Sequence, residues 1–107
     1  MRSNSEKAAS MLGLAQRAGK VAGGGLAAEK AVKGGKAYLL ILAEDASANT
    51  VKKFTNMAAW NKVPLQSFLT KAELGKRIGK EERSVLAVTD GNFAEAIQKH
   101  LNEERSV

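Results

Sequence analysis

The sequence predicts an α/β sandwich, with helices on both faces of a small, mostly parallel or mixed sheet of about four strands. Three observations carry this prediction. The run at residues 37–43 is continuously apolar and of strand length, and residues 84–89 hold a second apolar run between Ser84 and Thr89, as in strands buried on both faces. Stretches with apolar residues at helical spacing alternate with these runs, the pattern of layered helices and sheet. At 107 residues and 44% apolar, the chain fits one compact domain, residues 1–107, with a real core.

Ser3-Asn4-Ser5-Glu6 has the Ser-x-x-Glu form of a capping box, and Ala8, Met11, Leu12 and Ala15 then recur at helical spacing. Gly19 is placed to stop that helix. Lys20-Val21-Ala22 is long enough only for a short strand. A second helix is expected from Gly25 to Lys33, ending at Gly34-Gly35. After the apolar run Ala37-Tyr38-Leu39-Leu40-Ile41-Leu42-Ala43, Asp45 or Ser47 offers the next cap. Val51, Phe54 and Ala58 form a helical stripe with Lys52 and Lys53 turned outward. Asn61-Lys62-Val63-Pro64 is a turn with the only proline, and a short strand follows at residues 65–69. Thr70-Lys71-Ala72-Glu73 is a second capping box, opening a helix with Leu74, Arg77 and Ile78 that stops near Gly79. Beyond the run at 84–89, Asp90-Gly91-Asn92 turns into a last helix with Phe93, Ile97 and Leu101 on one side. The polar tail 102–107 is expected to fray.

Composition removes several classes of function. No cysteine means no disulfide and no thiolate metal site, and a single histidine, His100, cannot build a histidine metal centre. No apolar run approaches the roughly 20 residues a spanning helix needs, and no apolar segment of a signal peptide follows Met1, so a cytoplasmic location is expected. No cofactor is implied. Glu44-Asp45 is a thin basis for acid/base chemistry; a cap and a solvated carboxylate explain the pair, and no enzyme is expected.

The chain carries a net charge of +6, which favours an anionic partner. Residues 1–36 hold seven basic and two acidic side chains, a net +5, while the rest is nearly balanced. Seven of the ten glycines fall between Gly13 and Gly35, so the charge excess and the glycines coincide. At their centre, Gly23-Gly24-Gly25 opens the second helix. Glycine allows close approach to the main chain, and a helix start aims its free N–H groups and dipole at an anion. Two anions fit. Gly23-x-Gly25-x-x-Ala28 has the form of a dinucleotide fingerprint, with Glu44 or Asp45 about 20 residues on, but its strand is very short and the chain too short for both halves of such a fold. Nucleic acid fits as well: Arg17, Lys20, Lys30 and Lys33 bracket the glycines, and Lys76, Arg77, Lys80 and Arg83 flank Gly79. The aromatic residues fall mostly at core-like positions, which speaks against a base-stacking platform and for recognition of RNA shape and backbone.

Ala18-Gly19-Lys20-Val21, Gly24-Gly25, Lys30, Leu39-Leu40-Ile41-Leu42-Ala43-Glu44-Asp45, Val63-Pro64, Leu74-Gly75 and Gly79 occur in an order and spacing that resembles the ribosomal L7Ae/L30e family, most of all its small bacterial members. The similarity runs from about Ser5 to Leu101. It implies a three-layer α/β/α sandwich and binding to structured RNA, in many members a kink-turn, a sharply bent internal loop with sheared G·A pairs. The kink-turn signature Gly-Thr-Asn-Glu-x-x-Lys opens the second helix. Carried over, Gly24 takes its glycine and Lys30 its lysine, while Gly25, Leu26 and Ala27 replace threonine, asparagine and glutamate. Leucine and alanine cannot supply the hydrogen bonds to bases that asparagine and glutamate make. In the second contact loop, where kink-turn binders carry an apolar-Glu-apolar triplet, Lys80-Glu81-Glu82-Arg83 keeps only Glu81.

The resulting expectation is a monomeric, non-enzymatic protein bound to structured RNA, ribosomal or otherwise linked to translation. Gly24 and Gly25 would admit the RNA backbone, Lys30 and Lys33 would contact phosphates, Arg17 and Lys20 would flank them, and Lys80, Glu81 and Arg83 would form the second contact loop. A nucleotide-binding module and a protein-interaction module of the same fold are the alternatives.

Overall fold

The computed structural model describes residues 4–105. Elements follow in the order α1 (Asn4–Arg17), β1 (Val21–Gly23), α2 (Gly25–Lys33), β2 (Leu39–Leu42), α3 (Ala48–Asn61), β3 (Leu65–Ser67), α4 (Lys71–Arg77), β4 (Val85–Val88) and α5 (Gly91–Arg105). The four strands form one mixed sheet in the order β1-β4-β2-β3. β4 runs antiparallel to both neighbours, with Gly23 opposite Leu86 and Leu40 opposite Ala87, while β2 and β3 are parallel. The carboxyl ends of β1, β2 and β3 therefore emerge at the same end of the sheet, where β4 begins.

The two continuous apolar runs become β2 and β4, every residue of which is buried. Side chains alternate across a strand, and each face has its own core. Leu39, Ile41, Leu86 and Val88 pack with α1, α4 and α5 through Leu12, Leu74, Ile97 and Leu101. Leu40, Leu42, Val85 and Ala87 pack with α2 and α3 through Ala28, Val32, Phe54 and Ala58. The result is the three-layer α/β/α sandwich, α1, α4 and α5 on one side and α2 and α3 on the other. Each fully buried leucine contributes about 1.5–3 kcal/mol of hydrophobic stabilisation.

Local signals set the boundaries. Ser47 Oγ accepts from Thr50 N at the start of α3, and Asp90 Oδ2 from Phe93 N at the start of α5. The capping box at Thr70 and Glu73 is complete: Glu73 N donates to Thr70 Oγ1, and Thr70 N to Glu73 Oε1. Asp45 caps no part of α3; its carboxylate accepts from Lys71 N, in the first turn of α4. Ser3, the expected cap of α1, lies outside the described residues. Helix α5 continues to Arg105, so the segment from Asn102, expected to fray, is helical over four more residues. Val51 is 39% exposed and marks the rim of the stripe of Phe54 and Ala58 rather than its centre.

The aromatic residues depart most from expectation. Phe54 and Phe68 are buried, but Tyr38 is 52% and Trp60 86% exposed. Trp60 follows Ala58 by two positions, which turns it about 200° around α3, away from the sheet.

Candidate nucleic-acid interface

The glycine turn joins β1 to α2. Gly24 has φ 96° and ψ 163°, a conformation that a Cβ makes costly. Its N–H donates to the Val85 carbonyl at 2.9 Å, fastening the turn to the start of β4. Its carbonyl accepts from Ala28 N and begins the helix. No side chain caps α2, unlike α3, α4 and α5. The first N–H groups of α2 thus meet no capping oxygen, and the positive end of the helix dipole faces outward.

The loop between α4 and β4 comes to the same place. It folds back along α4, with Lys80 N donating to Gly75 O and Arg83 N to Lys71 O. Arg83 then lies over the glycines: its Cδ and Nε are each 3.7 Å from the position of a Cβ on Gly24. Arg83 Nη1 donates to the carbonyls of Glu81 and Glu82, at 3.2 and 3.1 Å, which fixes the guanidinium against its own loop. A guanidinium has five N–H donors, so most remain for a ligand.

Gly23, Gly24, Gly25, Leu26, Ala27, Lys30 and Arg83 line a shallow depression of about 540 Å³. Its two charges are both positive. The depression along α5 contains Glu95, the one between α1 and α4 contains Glu6 and Glu73, and the one beside His100 contains Glu6. Leu26 stands 73% exposed in the middle of the glycine-turn depression, where the kink-turn signature has asparagine. The side chain offers apolar surface and no hydrogen bond.

The other residues singled out from the sequence lie elsewhere. Lys20 precedes β1 and its carbonyl accepts from Thr89 N, so it stands at the far end of the strand from Gly24. Arg17 lines the depression between α1 and α4, on the opposite face of the sheet from α2. Lys33 ends α2, about 12 Å along the axis from Gly25. It pairs with Glu29 at 2.7 Å, and Lys53 of α3 reaches the same carboxylate at 3.0 Å. The Lys33 and then the Lys53 hydrogen bond hold the Glu29 carboxyl below the ordinary glutamate range. Lys80 and Glu81 are exposed in the loop that delivers Arg83. Their neighbours divide: Arg77 pairs with Glu6 at 3.0 Å, and Lys76 faces α1. Lys30 and Arg83 thus line one depression with Gly24, whereas Arg17, Lys20 and Lys33 lie away from it. Among the described residues, no group of three or more acidic or histidine side chains gathers as a metal site, and no helix is long and apolar enough to cross a membrane.

Known proteins share the sequence pattern and the fold that build this depression. The RNA-binding protein YlxQ of Bacillus subtilis is 48% identical over 84 residues, spanning 78% of this chain and 84% of the relative. The RNA-binding protein YlxQ of Enterococcus faecium is 36% identical over 91 residues, spanning 85% and 87%. Among solved structures, a Bacillus halodurans protein of unknown function superposes with a TM-score of 0.86 at 34% identity, covering 90% of this chain and 97% of that one. A Giardia lamblia 15.5kD RNA binding protein superposes with a TM-score of 0.77 at 16% identity, over 99% and 92%, a likeness of fold. Residues 6–98 match the ribosomal protein L7Ae/L30e/S12e/Gadd45 family, and the chain belongs to that family, a non-enzymatic one.

Proposed function

We propose that this chain is a monomeric, single-domain binder of structured RNA, ribosomal or otherwise engaged in translation, and that the RNA backbone seats on the glycine turn. The observation that carries the reading is the convergence of Lys30 and Arg83 on the uncapped start of α2 at Gly24. A phosphate there would accept from the helix N–H groups and lie between two cations. Lys80 stands exposed in the same loop as a further phosphate contact, beside Glu81, the loop's one match to the kink-turn signature. The names of the Bacillus and Enterococcus relatives support RNA as the anion. Leu26 and Ala27 make no hydrogen bond to a base, so the site reads RNA by backbone and shape.

A nucleotide module is the weaker reading. Its fingerprint belongs at a central parallel strand, whereas β1 is an edge strand running antiparallel to β4. Of the two candidate ribose ligands, Glu44 and Asp45, the latter is engaged with Lys71 N.

Fluorescence anisotropy tests the proposal with a hairpin carrying a kink-turn and the same hairpin fully paired, each titrated across salt. Lys30→Ala with Arg83→Ala should weaken binding and lower the salt slope by about 2. An unchanged slope would remove RNA from the glycine turn. Thermal stabilisation by millimolar nucleotide, without salt-sensitive RNA retention, would favour the nucleotide module.

A further inference from the structure

Trp60 is 86% exposed on α3, although the buried side of that helix is already filled by Phe54 and Ala58. Tryptophan is highly buried on average and is enriched where one molecule meets another. Its setting is chemically consistent. Asn49, Lys53, Asn56 and Trp60, spaced by four, three and four residues, form one exposed row along α3, and Lys52 flanks it. Lys62 follows the helix end with φ 57°, also exposed. Helix α3 has no carboxylate at all. The carboxylate that Lys53 meets, Glu29, is shared with Lys33, so two lysines outnumber one acid.

We infer that the α3 row is a second RNA-contact surface, on which an unpaired nucleotide stacks against Trp60 while Lys52 and Lys62 contact the flanking phosphates. An aromatic plane among cations and asparagines, with no acid on its helix, complements a ligand that is itself planar and anionic. A duplex hides its base faces, so the complementary ligand is a single strand. The row leads away from the proposed RNA site: α2 and α3 cover the same face of the sheet, both start at its glycine-turn end and are tied by the Glu29–Lys53 pair, and Trp60 stands toward the other end. The inference rests on RNA as the ligand of the glycine turn and adds a contact two helical turns beyond Lys53, for single-stranded RNA extending from the structured element.

Trp60 is the only tryptophan, so its emission reports on this surface alone. The experiment titrates the full chain with a ten-nucleotide oligouridylate, with the paired hairpin, and with that hairpin bearing a ten-uridine extension at either end. The oligouridylate and at least one extended hairpin should quench Trp60, and the blunt hairpin should not. By anisotropy, Trp60→Ala should weaken the extended hairpin about fivefold or more and leave the blunt one unchanged, with Trp60→Phe recovering most of the loss. Lys52→Ala with Lys62→Ala should flatten the salt dependence for the extended hairpin only. Equal effects of Trp60→Ala on both hairpins, or no quenching by any RNA, would overturn the inference. So would an emission shift that follows protein concentration in place of RNA, which would make the row a contact between protein molecules. The glycine-turn proposal is judged separately, by the response of the blunt hairpin to Lys30→Ala with Arg83→Ala.

Discussion

The Glu81 carbonyl oxygen occupies the space into which a side chain at Gly75 would project, so α4 and its returning loop touch backbone to backbone. Gly75→Ala should therefore destabilise the fold by about 1–3 kcal/mol, the usual cost of overpacking, even though alanine is the better helix former. Displacing Glu81 also displaces Arg83, whose guanidinium donates to the Glu81 carbonyl. Chemical denaturation and RNA affinity should fall together. Stability equal to wild type would mean the loop yields without cost.

Gly24→Ala asks an L-residue to hold φ 96°. We expect a loss of about 1–3 kcal/mol in unfolding free energy, by the usual cost of a strained backbone position. The same change at Gly91, which is not in the left-handed region and where a Cβ would meet only the Tyr38 ring at 3.6 Å, carries no such strain, and the contrast in denaturation midpoint checks the assignment.

Lys30 and Lys33 are one turn apart yet differ in setting: Lys30 lines the glycine-turn depression and Lys33 pairs with Glu29. Lys30→Ala should reduce the salt slope of RNA binding by about 1, because one phosphate contact is lost. Lys33→Ala should leave the slope of the paired hairpin near that of wild type, since Lys33 is committed to Glu29 at 2.7 Å.

Glu29 gives the pH dependence. Its carboxyl titrates below the ordinary glutamate range in the fold, so its contribution is present above the unfolded pKa and fades as pH falls through the lower folded value. Glu29→Gln should make the acid limb of the stability profile shallower, and high salt should shrink the difference because the pair is partly exposed. Parallel acid limbs would show that the pairing does not persist in solution.

Thr70→Ala removes the hydroxyl that accepts from Glu73 N and should cost about 1 kcal/mol, with an unchanged denaturant slope. Thr70→Ser, which keeps the hydroxyl, should lose little of that stability.

Most of the architecture was legible in the sequence, because local rules governed it. The box at Thr70 and Glu73, the glycines bounding α2, and the unbroken apolar runs of β2 and β4 each follow from short-range chemistry. The site was legible only in part. Gly24, Gly25 and Lys30 are near one another in sequence and remain so in the fold. Arg83 reaches them because Val85 begins β4 beside the end of β1, a relation fixed by sheet order. Lys20 and Lys33 are close to Gly24 in sequence, yet a strand and a helix place them away from it. Trp60 was hidden because a helical stripe does not announce which of its flanks is covered.

The hydrogen bond from Gly24 N to Val85 O has a kinetic consequence. It makes the glycine turn a continuation of the sheet ladder, so the turn inherits the order of the central strand β4. On the proposed reading, an incoming RNA would meet a turn already set, and little conformational entropy would be lost there on binding. Association should then be governed by diffusion and charge steering, with no slow rearrangement step. The Gly24 amide should accordingly exchange its hydrogen about as slowly as the amides of β4, in the free protein as in the bound one.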